Sequence, residues 1–474
     1  MVDKLKEIFI SYINVVQLRI ENSHSEELMS LIDQLEKSNE FCQLVEKTHS
    51  ELSSDGYHGK DKSSWELAVN NFFRRSMCYI DIYKQNFPNK ELLLAKYIES
   101  FQRQQTKIRY LAPIEFVSFS KECIDFGVFQ IRKYSREELD LIFQNKINKI
   151  FNHWATINVE EIKDYWFISV EELVPTKKIG YIYWEQNPLK IKYTPYPKVV
   201  ESVLKQLSIF NWEPDWLKDG YLEKYPQEDY PVGFSIPFVL RINDNLLEYP
   251  ENNRPDFSRL AKESRIDSLT DEEIGSYPMI TTDLDEKQTT DFESCIHDII
   301  KSLSNIEINQ SNWHFIDIAL GFSTKAFLSE GIERLLWYVT TLESLLGEKG
   351  SGLTAKLAKR VATILGKDES ENKSIRKEFE ELYEFRCNLV HGRPFKKQIL
   401  ATHIIKVQNM VRQIILFFLY FLNTITDRYS SDFPCDKIPT REDILAFLDM
   451  DKSRRTSIVQ LVNIFLKETI PMKK

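Results

Sequence analysis

The residues best suited to chemistry close one amphipathic segment, Arg386-Cys387-Asn388-Leu389-Val390-His391-Gly392. Phe379, Leu382, Tyr383 and Val390 recur at helical spacing, and Gly392 and Pro394 stop the pattern. This predicts a helix over 375–391 with His391 in its last turn. There the helix dipole favours a positive charge, and an imidazole can both donate and accept a proton near neutral pH. Arg386 precedes it by five residues, about 140° around the helix and one and a half turns back. The two do not share one narrow face, but an arginine is long enough to come round, and its planar fork matches two oxygens of a phosphate. Together they suit acid/base cleavage of RNA at a phosphodiester, with Asn388 placed to hold the imidazole or the phosphate. Spacing alone leaves a plainer alternative, in which the histidine caps the helix and the arginine only solvates it.

Local charge favours a polyanionic partner. Between residues 349 and 412 there are fourteen Lys and Arg against seven Asp and Glu, whereas the whole chain carries a formal net charge of −9. That overall sign disfavours a protein coated by nucleic acid but leaves room for one basic cleft. Lys356, Lys359, Arg360, Lys373, Arg376, Arg393, Lys396 and Lys397 are the residues that could line it.

Several elements must position this helix. The 474 residues exceed one ordinary core, and about 150 residues per domain suggests three. From Leu5 to about Arg109 apolar residues recur at helical spacing, which predicts an N-terminal helical region over 1–110. After Pro113 short β-branched and aromatic runs take over, at 116–119, 126–131, 166–170, 179–184 and 234–240, with a helical insertion at 136–151. They predict a mixed α+β domain over 111–290. Nine acids against one base between Asp267 and Glu293 mark its end as an exposed linker. Helical periodicity then returns from Ile332 onward, and Thr440 with Asp443 three residues later forms a capping box. The region 291–474 is therefore expected to be all-α, within a multidomain α+β chain that is mainly α.

Composition excludes other classes. Six cysteines stand without a CxxC pair, and the histidines lack ligand spacing, so neither a metal site nor a disulfide framework is expected, and a reducing cytoplasm fits. The start of the chain lacks the features of a signal peptide, and the apolar run 414–422 is too short to cross a bilayer; it should be a buried helix face or a subunit contact. Gly347-Glu348-Lys349-Gly350-Ser351-Gly352 lacks the ending of a phosphate loop and reads as an interhelical turn. The bases and aromatics of 177–184, with Lys190, Lys192, Tyr193 and Tyr196, suit a β-hairpin better than a track for single-stranded RNA.

Arg386 and His391 with four residues between them, followed by Gly392, resemble the RxxxxH signature of HEPN-superfamily ribonucleases. The upstream text Leu335-Leu336-Trp337-Tyr338-Val339-Thr340-Thr341-Leu342-Glu343-Ser344-Leu345-Leu346, then Leu357-Ala358-Lys359-Arg360-Val361-Ala362, is similar to the Apea-like branch. The likeness covers about residues 312–426, roughly a quarter of the chain. It implies a helical bundle that dimerises so that two motif helices meet in one cleft. The implied activity is metal-independent and cofactor-free cleavage of RNA, tRNA among the candidates. His391 would move a proton and Arg386 would steady charge on the phosphoryl oxygens, leaving a 2′,3′-cyclic phosphate. Glu343 and Arg360 fall where the branch carries an acid and an arginine; shaping the cleft or forming a structural ion pair are both open to them. The position after the arginine is often a small polar residue and here is Cys387, so Asn388 would take over its part. Family likeness further implies defence against phage or toxin action, with the first 290 residues sensing a phage-derived or host trigger. A non-catalytic RNA-binding module, or a scaffold using the bundle only to dimerise, is the competing reading.

Overall fold

Aromatic residues at helical spacing build the first part of the chain. In the computed structural model, which describes residues 2–22, 28–52, 62–143, 159–177, 179, 194–212, 234–248, 264–266, 273–276, 282–308, 310–329, 331–350, 352–394, 401–429, 439–450 and 457–469, the chain forms two compact units. Three consecutive domains were the expectation; instead each unit is assembled from separated segments. The first takes residues 1–114, 127–190 and 236–276, and the second 115–126, 191–235 and 277–474.

In the first unit, helices Val2–Asn22, Asn39–Leu52, Lys62–Arg75, Cys78–Tyr83 and Lys90–Gln102 surround Phe9, Tyr12, Phe72, Phe73, Tyr79 and Tyr97, all fully buried. Ring centroids 4.9–6.0 Å apart give a mixture of stacked, tilted and edge-on contacts. Buried phenols need partners, and find them: Tyr12 and Tyr79 share a 2.7 Å hydrogen bond, and Tyr97 meets the Thr48 hydroxyl at 2.6 Å.

The helices stop earlier than their periodicity suggested. Residues 105–109 begin the strand Gln105–Ile114, because Thr106 and Ile108 are buried while Gln105 and Lys107 face solvent, a period of two. This strand pairs antiparallel with Trp166–Pro175 along its whole length and with Leu240–Asn243 on its other edge; Trp166–Pro175 in turn pairs with Phe129–Lys133. The expected strand at 234–240 survives only as Leu240–Asn243 and an isolated bridge from Ser235 to Glu115, since Pro237 has no N–H to give a ladder. Of the insertion at 136–151, helix Arg136–Ile142 is described, opened by a Ser135–Glu138 capping box. Residues 180–193 of the base- and aromatic-rich stretch lie outside the described residues.

Arg75 joins helices to sheet. Its guanidinium, 8% exposed, donates to Asn243 Oδ1 at 2.9 Å, to the Asn243 carbonyl at 3.0 Å, to the Glu248 carbonyl at 2.6 Å and to the Asn245 carbonyl. Burial pulls its pKa down to about 10, partly offset by the nearby Glu248 and Asp244 carboxylates, so it stays charged at neutral pH.

The second unit is a helical bundle. Val117–Phe119 lies parallel to Thr282–Leu284 beside a ring cluster in which Phe119, Phe126, Phe210 and Trp212 stand 5.0–5.9 Å from the buried Phe292. Phe292 belongs to helix Glu286–Ile308, so the last eight residues of the expected acidic linker are instead the N-terminal end of a helix, where carboxylates face a favourable dipole. Helix Ala401–Tyr429 runs through the bundle, contacting Glu286–Ile308, Gly331–Leu346, Leu353–Leu365 and Glu369–Val390. Most of its apolar run is buried there: Ile414, Ile415, Phe417, Phe418, Leu419, Phe421 and Leu422 are each no more than 2% exposed, while Tyr420 is exposed. Thr402–Thr426 is long and apolar enough to cross a membrane by length and composition, and 67% of its most apolar stretch is buried within the unit.

Replacing Arg75 by Ala strands several buried carbonyls and is expected to lower the first unit's stability by about 3 kcal/mol in a denaturant titration. Lysine should restore only part, because one ammonium cannot reach acceptors spread around a guanidinium.

Candidate functional site

The motif helix is Glu369–Val390, six residues longer at its start than the expected bound. Asp368 caps it, its carboxylate accepting from the N–H groups of Ser370 at 2.8 Å and Glu371 at 2.9 Å. Its end is as the sequence reading expects. His391 is the C-cap, Gly392 takes φ +61°, the Gly392 N–H bonds the Leu389 carbonyl and the Arg393 N–H bonds the Asn388 carbonyl. Those two bonds define a Schellman turn, which only a residue tolerant of positive φ completes cheaply. The turn fixes the backbone of His391 and leaves the residue exposed.

Arg386 is positioned from outside its own helix. Its Nη2 donates to Glu343 Oε2 at 3.0 Å, and the other oxygen of that carboxylate, Oε1, accepts from the Tyr383 hydroxyl at 2.7 Å. Glu343 stands on helix Gly331–Leu346, so the bond spans two helices. Tyr383 is one turn before Arg386 on the same face, with the guanidinium carbon 5.9 Å from its ring centroid. Burial first, and then the Glu343 carboxylate, push the phenol far above its ordinary pKa, keeping it a proton donor. Arg386 Nε is buried without a partner. An unmet buried N–H costs on the order of 1–3 kcal/mol. Nη1 has no partner among the described residues either, and the side chain is 22% exposed.

Arg360 forms a separate arrangement. Its side chain is fully buried, yet every nitrogen is engaged: Nε with Asp449 Oδ1 at 2.9 Å, Nη1 with the Leu346 carbonyl at 2.6 Å, and Nη2 with Asp449 Oδ2 at 2.6 Å and Glu348 Oε2 at 2.8 Å. Burial alone would lower its pKa, but Asp449 and Glu348 outweigh it and the net direction is upward. Arg441 adds bonds to the carbonyls of Leu345 and Gly347. Two arginines thus supply donors to the otherwise open carbonyls where helix Gly331–Leu346 ends.

The structure brings Arg386, Glu343 and Tyr383 together, with His391 one and a half turns beyond, but uses several expected RNA contacts elsewhere. Lys356 pairs with Glu348, Lys359 donates to the Asp449 carbonyl, and Lys373 pairs with Glu369 at 2.8 Å. Arg360 pairs with acids other than Glu343 and has no exposed surface from which to shape a cleft. Arg376 is half-buried with an unpartnered Nε, Arg393 is exposed on the Schellman turn, and Asn388 is half-buried with no side-chain partner among the described residues. Lys396 and Lys397 lie outside the described residues. Tyr383, Asp449, Glu348 and Arg441 were not singled out from sequence; only Tyr383 carried a signal, its three-residue spacing from Arg386. Among the described residues no three His, Cys, Asp or Glu side chains form a metal-binding group.

Hydrogen bonds from Lys356 and then Arg360 hold the Glu348 carboxyl down at about 2, below its ordinary 4.5. The contribution of this group is thus present above about pH 4.5 and lost as pH falls toward 2. Glu348→Gln should unfold more readily than wild type at pH 6, and the gap between the two midpoints should close on acidification to pH 2. A gap that stays constant would count against the pairing. Comparison with known protein-family models, with curated proteins and with solved structures gave no match to this chain.

Proposed function

We propose that the second unit is a metal-independent endoribonuclease of HEPN type, with Arg386 and His391 as its catalytic residues. The observation that carries this reading is the setting of Arg386: it is tied to Glu343 through one terminal nitrogen, while the other has no partner among the described residues, and an exposed histidine is held by a Schellman turn at the end of the same helix. A phosphate oxygen can bond the free nitrogen, and the cation then stabilises charge that grows on the phosphoryl group. The ribose O2′ attacks the adjacent phosphorus, forming the O2′–P bond as the P–O5′ bond breaks. His391 takes the proton from the 2′-hydroxyl and returns it to the departing O5′, so the imidazole ends as it began and the upstream fragment ends in a 2′,3′-cyclic phosphate. No cofactor enters these steps. By the same resemblance, two copies bring their motif helices into one cleft, and the first unit restrains the activity until a phage-derived or host trigger arrives, in defence or as a toxin.

One observation favours a second reading, a non-catalytic RNA-binding or dimerisation bundle: Lys356, Lys359 and Arg360 are spent on internal pairs rather than on a groove. The deciding experiment incubates total RNA and tRNA with the wild-type protein or with His391→Ala in EDTA, with and without lysate from phage-infected cells, and maps the product ends. Wild-type fragments ending in 2′,3′-cyclic phosphate, with a loss of about a hundredfold or more in the variant and unchanged RNA affinity, are the expected result. RNA binding without cleavage under every condition would establish the second reading.

A further inference from the structure

We infer that Tyr383 is a positioning residue that keeps Glu343 from closing a two-point lock on Arg386, preserving the arginine's capacity for an RNA phosphate; this rests on the ribonuclease reading above. A carboxylate facing a guanidinium ordinarily takes it side-on, one oxygen on Nε and the other on Nη2. Glu343 has the Nη2 bond at 3.0 Å but not its companion, and Arg386 Nε is left buried and unpartnered. The companion oxygen faces elsewhere: Oε1 accepts from the Tyr383 hydroxyl at 2.7 Å, a bond that turning it onto Nε would stretch or break. That phenol is 5% exposed and held as a donor by its burial and by the carboxylate itself, so the diversion does not relax in solvent. An unmet donor beside a carboxylate that could satisfy it is an arrangement that stability alone would remove.

The consequence is a cation that is held in place but only partly neutralised. Glu343 restrains the direction of the guanidinium, and Tyr383 limits how much of its charge Glu343 absorbs. Removing the hydroxyl while keeping the ring frees Oε1 to rotate onto Nε, which satisfies the orphan and withdraws Arg386 from phosphate. Tyr383→Phe should therefore do two things that do not ordinarily accompany each other: leave the melting temperature unchanged or higher, and lower kcat/KM for RNA about tenfold. In a Glu343→Gln background, where no charge remains to lock the arginine, the further change Tyr383→Phe should cost activity little or nothing.

The test measures cleavage kinetics and thermal melting of full-length wild type, Tyr383→Phe, Glu343→Gln and the double variant, together with the affinity of each for a 2′-deoxy oligonucleotide that cannot be cut. A tenfold slower but no less stable Tyr383→Phe, with weaker binding of that oligonucleotide and no added loss in the double variant, is the expected outcome. A Tyr383→Phe protein that cleaves like wild type, or loses activity only in step with stability, overturns the role of Tyr383 while the ribonuclease reading stands. Absence of cleavage by the wild type itself overturns the ribonuclease reading and this inference with it.

Discussion

Helix Gly331–Leu346 ends among buried side chains, and the carbonyls of its last turn have no further helix to accept from. Their donors come from side chains, the guanidinium groups of Arg360 and Arg441. Each donor brings a charge that must in turn be balanced, which calls in Glu348 from the next turn and Asp449 from the helix Arg441–Asp449. The end of one helix thereby ties down two others. Glu343 lies one turn before that end, so its position, and the direction of Arg386 on a third helix, follow from the same constraint.

Arg360 and Arg386 are separated by chemistry more than by distance along the chain. Arg360 is buried and has an acceptor for every nitrogen, as a cation kept for structure requires. Arg386 has one carboxylate contact, two nitrogens without a partner among the described residues and a fifth of its side chain open to solvent. An incompletely satisfied cation costs stability, and proteins that tolerate the cost commonly do so where a ligand completes the set.

Features set by neighbours in sequence were legible before any coordinates. The stop at Gly392 and Pro394, the Thr440–Asp443 capping box and the apolar stripe of Leu353–Leu365 depend on contacts within a few residues, and all are present. What could not be read depends on pairing across the chain. Nothing near Arg360 announces Asp449, which lies 89 residues away, and nothing near Arg75 announces Asn243. The same blindness made one linear sequence look like three consecutive domains: pattern changes mark where element type switches, whereas the units are defined by which strand finds which edge. The acids at 286–293 concealed a helix for a related reason, since composition averages over faces and this helix hides Phe292 behind them. For the candidate site, Arg386 and His391 were visible by type and spacing and Glu343 only through the family resemblance, whereas the partner of the second oxygen of Glu343 was visible only as one more apolar position.

The segmented make-up of the first unit bears on how the chain is born. Strand Gln105–Ile114 has one edge that is closed only by Leu240–Asn243, and Arg75 finds its acceptors on those same residues and just after them. A ribosome adding about 5–20 residues per second must therefore work for roughly ten seconds after making that strand before its last neighbour emerges. Throughout that interval a sheet edge and a buried guanidinium are exposed, an invitation to holdase chaperones and to wrong pairing. Thr282–Leu284, the partner strand of Val117–Phe119, arrives later still, and the motif helix is synthesised only after the first unit has every segment it needs.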